Sequence, residues 1–250
     1  MNKNFSIARL NRLRSCKIDY SSELNEQQYA AVTAGEGPSL VIAGAGSGKT
    51  RTLTYRVAYL IENGVPSDNI LLLTFTNKAA DEMMTRVRLL INDDLSGLWG
   101  GTFHSIGARI LKRFANKLGY SNDFTILDRD DAEALIKNCL SELKIKSTTF
   151  PKPVVLAEIF SLSANTQKEL DKLIVSDYIE LEKHLPLIIE LNQKYTKRKK
   201  ENNSMDFDDL LVMWYRLLAQ EPEILEYYQR KFSFILVDES IILNNNAIGD

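Results

Sequence analysis

Short apolar runs, each followed by a helical stripe, set the first pattern in the chain. Ser39–Ala43 (Ser-Leu-Val-Ile-Ala) is a continuous apolar run closed by glycines, and it predicts a buried strand. From about Lys49 the positions Leu53, Val57, Leu60 and Ile61 fall on one face and predict a helix, with Asn63-Gly64 as its stop. Ile70–Phe75 predicts a second buried strand. From about Asn77, Met83, Val87, Leu90 and Ile91 predict a second helix. Strand, helix, strand, helix at this spacing means βαβ units and a parallel sheet.

The middle of the chain has another period. Asp128 reads as a helix N-cap, with Ala132, Leu135, Ile136, Cys139, Leu140 and Leu143 behind it at helical spacing. Cys139 lies in that stripe, so it is read as a core thiol. Pro151 and Pro153 punctuate, further helical patterns run to about Leu191, and strand signals are few between 130 and 205. Lys194–Lys200 is the densest basic patch, read either as a solvated helix end or as a phosphate contact. An amphipathic helix over Asp206–Leu218 follows, with Phe207, Leu210, Leu211, Trp214, Leu217 and Leu218 apolar. Phe232–Val237 then predicts a third strand that ends in Asp238-Glu239.

Composition narrows the classes. The chain has 250 residues, 44% of them hydrophobic and 26% charged, which fits a soluble globular protein. No run approaches the ~18 apolar residues of a membrane helix, so no membrane partner is expected. Two cysteines cannot build a disulfide framework, and a reducing, cytoplasmic setting is expected. The net charge of −2 rules out a wholesale basic surface, so nucleic-acid contact has to be local. Two histidines argue against a histidine-based metal site. Residues 1–18 carry Lys3, Arg9, Arg12, Arg14 and Lys17 and no acid through Ile18. A solvated basic arm is the reading preferred over an organelle transit peptide, and a secretory signal is not expected because no apolar core is present there.

The sharpest chemistry lies at Ala43-Gly44-Ala45-Gly46-Ser47-Gly48-Lys49-Thr50. It departs from the strict phosphate-loop form only by Ala43, and it sits between a predicted strand and a predicted helix. Glycines let the backbone curl until several N–H groups face one anion, and the helix N-terminus adds partial positive charge. Lys49 reaches the β and γ phosphates as a point charge, and the Thr50 hydroxyl is placed for Mg2+. Such a loop needs a second carboxylate on the metal side. The strand ending in Asp238-Glu239 supplies it at the edge where open α/β sheets bind ligands. Asp238 would hold the metal shell, and Glu239 would orient and deprotonate the attacking water.

These residues resemble the start of a superfamily 1 DNA helicase of the UvrD/Rep/PcrA type, in order from about residue 24 to 239. Leu24-Asn25-Glu26-Gln27-Gln28 resembles the Q motif, which implies that Gln28 reads the adenine edge; a bidentate amide suits adenine's donor–acceptor pair. Ala43–Thr50 has the family's own wording, which accounts for Ala43. Thr74-Phe75-Thr76-Asn77-Lys78-Ala79-Ala80 resembles motif Ia and Gly101-Thr102-Phe103-His104-Ser105 motif Ib. The resemblance implies that Phe75, Thr76, Asn77, Thr102, Phe103 and His104 touch single-stranded DNA, through stacking and phosphate contacts. From the residues alone, Phe75 and Phe103 read as core. Met205-Asp206-Phe207-Asp208-Asp209-Leu210-Leu211 resembles the element ahead of motif II and is assigned no catalysis.

The fold class implied is α/β: a RecA-like P-loop NTPase domain with a parallel sheet, interrupted by a mostly helical inserted subdomain. Residues 1–19 would be a basic arm, 20–108 and 203–239 the RecA-like ATP-binding domain, 109–202 the helical subdomain, and 240–250 a divergent tail. The function implied is that of an ATP-dependent DNA helicase, of which the chain resembles only the first ATP-binding domain, with ATP and Mg2+ as cofactors. Its partner would be single-stranded DNA or a single-strand/duplex junction, with DNA repair among the roles the family implies. After Glu239 the family pattern stops at Ser240-Ile241-Ile242-Leu243. The expectation is therefore binding with little turnover, unless a partner chain supplies a second RecA-like domain with its arginine fingers. Two rival readings remain: a catalytically incomplete nucleotide- and strand-binding module, and another P-loop enzyme such as a nucleotide kinase, against which the ordered Q, Ia and Ib motifs argue.

Overall fold

The computed structural model describes residues 17–35, 37–44, 46–91, 95–145 and 150–238. In chain order the elements are α1 (Tyr20–Glu23), α2 (Glu26–Thr33), α3 (Lys49–Glu62), β1 (Ile70–Thr74), α4 (Asn77–Ile91), β2 (Trp99–Thr102), α5 (Phe103–Phe114) and β3 (Thr125–Ile126). Then come α6 (Arg129–Glu142), α7 (Pro153–Thr166), α8 (Leu170–Asp177), α9 (Leu185–Glu201), β4 (Ser204–Met205), α10 (Phe207–Gln220), α11 (Pro222–Lys231) and β5 (Phe234–Val237). The chain forms two compact units, one from residues up to Ile106 together with those from Leu225 onward, the other from Gly107–Ile224.

The first unit is a mixed helix and parallel-sheet structure. Its sheet has the order β2-β1-β5. β1 runs parallel to both neighbours, with Leu72 opposite Gly100 on one side and Leu236 on the other. Every residue of β1 is buried, as expected for a central parallel strand covered on both faces. The periodic apolar positions do what their spacing predicts. Val57 and Leu60 of α3 and Met83, Val87 and Ile91 of α4 pack with Ile70, Leu72 and Leu236 into one core. α3 stops where Asn63-Gly64 was read as a terminator, with Gly64 at φ +89° and its N–H on the Ile61 carbonyl.

One expected strand is absent. Ser39–Ala43 forms no ladder among the described residues, and Leu40 and Ile42 stand 82% and 90% exposed. The physical reason is pairing. A strand is stable only where its N–H and C=O groups meet a neighbour, and the described sheet ends at β5 with that edge unpaired. Ile235 on β5 is itself 59% exposed. Short apolar runs do not carry the identity of their neighbour, so the run looked like a buried strand.

The second unit is helical, with a two-residue parallel ladder that sets Thr125 opposite Ser204 and Ile126 opposite Met205. Ala132, Ile136 and Cys139 of α6 pack with Leu156, Ile159, Leu173, Ile188 and Leu191. Asp128 caps α6 by accepting from the Asp131 N–H at 2.8 Å, and Pro153 opens α7 at its first turn. Cys139 is buried, and burial pushes its thiol pKa up, away from reactivity. α10 packs with α7 and β4 and belongs to this unit, whereas the sequence expectation grouped 203–239 with the first. The Lys194–Lys200 patch is largely engaged within the chain: Lys194 and Arg198 pair with Glu142, Lys197 pairs with Glu201, and Lys200 lies over the Tyr120 ring.

Of the patch's basic residues, Lys199 is the buried one, 5% exposed. Its Nζ lies 2.6 Å from Asp206 Oδ2 and 2.6 Å from Asp209 Oδ2, and the Tyr195 hydroxyl donates to Asp206 at 2.9 Å. Asp206 and Asp209 also form the capping box that starts α10. Burial opposes each charge in the cluster. For Lys199 the two carboxylates outweigh it and raise its pKa. For Asp206 the ammonium outweighs it and lowers the pKa. Asp209 is pushed up by burial, because two carboxylates share one ammonium. The Asp206 contribution is therefore present above its ordinary value of about 3.9 and lost as pH falls through the lowered folded value. The Lys199 contribution is present below about 10.4 and lost as pH rises through the raised one. Lys199→Met should destabilise this unit by about 3–5 kcal/mol, since it strands two buried carboxylates. Urea unfolding at neutral pH, followed by far-UV circular dichroism, measures the loss; a change below about 1 kcal/mol would refute the role given to this cluster.

Candidate functional site

The loop between Ala43 and Lys49 is built for close approach to its own backbone. Gly46 and Gly48 take φ of +75° and +85°, conformations that side-chain-bearing residues rarely adopt. The Ser47 N–H and hydroxyl both donate to the Gly44 carbonyl, at 3.3 and 2.7 Å. α3 begins at Lys49 with Gly48 as its N-cap, so no side chain satisfies the first-turn N–H groups. A helix start left this way, preceded by a glycine curl, has the geometry that can cradle an anion. Lys49 Nζ donates back to the carbonyls of Gly44 at 3.1 Å and Ala43 at 3.4 Å, which sets the ammonium over the loop. Ala45 lies outside the described residues.

The acid side arrives from β5. The Asp238 N–H donates to the Leu73 carbonyl at 2.8 Å, which continues the parallel pairing one residue past the strand. Asp238 is 6% exposed, and its Oδ2 lies 3.5 Å from Thr50 Oγ1, a contact across 188 residues of sequence. A hydroxyl and a carboxylate oxygen side by side are hard donors of the kind a small divalent cation takes, and adjacent ligands of octahedral Mg2+ stand roughly 3 Å apart. The donor set therefore fits that ion. Glu239, named as the catalytic base, lies outside the described residues, as does the tail from 240.

Gln28 joins the same group of residues. It sits in the first turn of α2, whose N-cap Asn25 forms a reciprocal capping box with it. Its Oε1 accepts from the Asn25 N–H at 3.3 Å, and its Nε2 donates to the Ser47 carbonyl of the loop at 3.0 Å.

The residues expected to meet DNA gather on the strand ends. β1, β2 and β5 run parallel, so Thr74–Asn77, Thr102–His104 and Asp238 all emerge at the carboxyl edge of one sheet. Phe75 is 58% exposed, which overturns the core reading of that residue taken from the sequence alone. Thr76 and Asn77 are exposed, while Phe103 and His104 are half-buried. Thr76 Oγ1 accepts from the Ala79 N–H at 3.2 Å and Thr102 Oγ1 from the Ser105 N–H at 3.1 Å, so each starts the helix that follows it.

A sequence profile of the UvrD/REP helicase N-terminal domain matches residues 24–240, and that span takes in every site residue named above. The chain belongs to this family. It is 41% identical over 225 residues to the ATP-dependent DNA helicase PcrA of Staphylococcus aureus (strain Mu50 / ATCC 700699), across 87% of this chain and 30% of the relative. It is likewise 41% identical over 223 residues to PcrA of Staphylococcus epidermidis (strain ATCC 12228 / FDA PCI 1200), across 86% of this chain and 29% of the relative. The chain thus spans under a third of the length of these relatives.

In this UvrD/REP-family chain, two arginines that the sequence reading passed over tie α1 and α2 to α3. Arg51 bonds the Glu23 carbonyl and carboxylate, each at 2.8 Å, and lies 4.9 Å over the Tyr55 ring. Arg56 donates to the Val32 carbonyl at 2.7 Å and the Gly35 carbonyl at 3.2 Å, which ties the end of α2 to α3. Burial lowers the Arg56 pKa from its ordinary value. The only prior signal was the helical i,i+4 spacing of Arg51 and Tyr55. Thr102→Ala should cost about 1 kcal/mol of stability through the lost α5 cap, and Thr102→Ser should restore most of it. Thermal unfolding of the three proteins checks this ordering.

Proposed function

We propose that the chain is the nucleotide-binding and strand-contacting first domain of an ATP-dependent DNA helicase. On this reading it has a RecA-like fold carrying a helical insertion, and it acts on single-stranded DNA or a single-strand/duplex junction. The observation that carries the proposal is the approach of Thr50 Oγ1 to Asp238 Oδ2, which joins the phosphate-cradling helix to the acid of a distant strand. The relatives are named as ATP-dependent DNA helicases, which agrees with that chemistry.

A magnesium ion, which Thr50 and Asp238 would hold, would neutralise phosphate charge. The chain's own part is to bind and orient. The glycine curl and the α3 N-terminus would take the phosphates, with Lys49 as their counter-charge. Glu239, the next residue after Asp238, is assigned to aligning and deprotonating water. Phe75 offers an aromatic face to a base, and Thr76, Asn77, Thr102, Phe103 and His104 line the same carboxyl edge.

Titration with ATP, magnesium and oligo-dT tests the proposal. ATP should bind only with magnesium, Lys49→Ala should weaken binding at least tenfold, and oligo-dT should change the nucleotide affinity. Binding of ATP that ignores both Lys49→Ala and the DNA would overturn the reading, and indifference to DNA alone would favour a nucleotide kinase.

A further inference from the structure

We propose that Thr74 is a positioning residue for single-strand contact, fixing the exposed Phe75 at the carboxyl edge of the sheet. The inference rests on the strand-contacting reading above and names what gives that contact its rigidity. Its basis is one buried hydroxyl. Thr74 is 1% exposed and is the last residue of β1, opposite Thr102 of β2. Its Oγ1 donates to the Thr76 carbonyl at 2.9 Å, across Phe75. A valine would fill the same buried space with no polar atom to satisfy, so the hydroxyl points to a task beyond packing.

Bonds on both sides confine Phe75. On its N-terminal side the chain is still in the β1 ladder. On its C-terminal side the Thr76 carbonyl also accepts from the Ala80 N–H at 3.0 Å, and Thr76 Oγ1 accepts from the Ala79 N–H at 3.2 Å. The Thr74 hydroxyl therefore ties the end of a strand to the residue that caps α4, with a single residue between them. That residue is an aromatic left 58% exposed. A ring left in water contributes little burial to the fold. Holding its backbone still helps binding, because a fixed platform loses less freedom when a base stacks on it.

β2 ends in the same register with a different closure. There Thr102 itself does the capping, accepting from the Ser105 N–H, while Ser105 Oγ donates to the Thr102 carbonyl at 2.9 Å. In β1 the cap is Thr76, which leaves the Thr74 hydroxyl to brace the residue between.

The test uses the whole chain and two strands of equal length, oligo-dT and an abasic deoxyribose-phosphate strand. Thr74→Val keeps the shape and removes the donor, and the Thr76 carbonyl keeps its Ala80 bond, so little stability should be lost. Oligo-dT affinity should fall about two- to tenfold in Thr74→Val, the cost of immobilising one side chain on binding, while affinity for the abasic strand holds. Thr74→Ser should restore the wild-type value. In a Phe75→Ala background, Thr74→Val should change nothing further. Amide hydrogen exchange at residues 75 and 76, without ligand, should quicken in Thr74→Val. Equal loss on both strands, or a loss that persists in the Phe75→Ala background, would overturn the positioning role, since Thr74 would then act on the edge as a whole. Unchanged oligo-dT affinity would overturn it too. Thr74→Ala, measured in the same way, decides the matter if valine prevents folding. A wild type that holds oligo-dT no better than the abasic strand would instead bring down the stacking reading of Phe75 itself.

Discussion

The hydrogen bond from the Asp238 N–H to the Leu73 carbonyl is the constraint on which the rest of the site depends. It extends the β1–β5 pairing by one residue and so fixes where the strand stops being strand. A carboxylate delivered at that point is 6% exposed and sits against Thr50. The rung carries the β1–β5 register past Val237 and places Asp238 beside Thr50, a residue 188 positions away in sequence. β1 can supply the rung because it is buried along its whole length and held on both sides. Its burial depends in turn on the apolar stripes of α3 and α4.

Much of this was legible from the residues, and for a physical reason. Helical stripes and glycine stops are local codes, so α3, α4, α6 and α10 follow from Val57, Met83, Ile136 and Leu210 and their neighbours. The phosphate loop was legible because its chemistry allows few alternatives: positive φ at Gly46 and Gly48 excludes most side chains. What the residues alone did not carry was anything set by a distant partner. Ser39–Ala43 has the composition of a strand, yet a strand exists only with a neighbour. α2 was missed because it is short and only weakly amphipathic, and α11 because it is amphipathic over only ten residues. β2 was missed because Trp99-Gly100-Gly101-Thr102 has almost no strand propensity, and pairing with β1 imposes its extended form.

Helix starts carry a double load in this chain. Asn25, Gly48, Thr102 and Asp206 each begin a helix, and three of the four lie beside residues assigned to nucleotide or strand contact. The economy is physical. Where a side chain satisfies the helix's first N–H groups, as at Asn25 and Thr102, it is rigidly placed, and rigid placement is what recognition requires; at Gly48 those N–H groups are left without a side-chain cap. Asp206 shows the other use. Its capping box is pinned by a buried ammonium, and the result is a fixed joint in the helical unit.

Among the described residues no strand pairs with the second side of β5, and this has a consequence for handling the polypeptide. Phe234-Ile235-Leu236-Val237 carries no lysine, proline or glutamate to discourage an approaching backbone, and Ile235 is largely uncovered. Open β edges of this kind are protein glue. Concentrated stocks should cloud first through this margin, and a solubilising charge placed at Ile235 would be a sound opening step for anyone preparing the domain for crystals or spectroscopy.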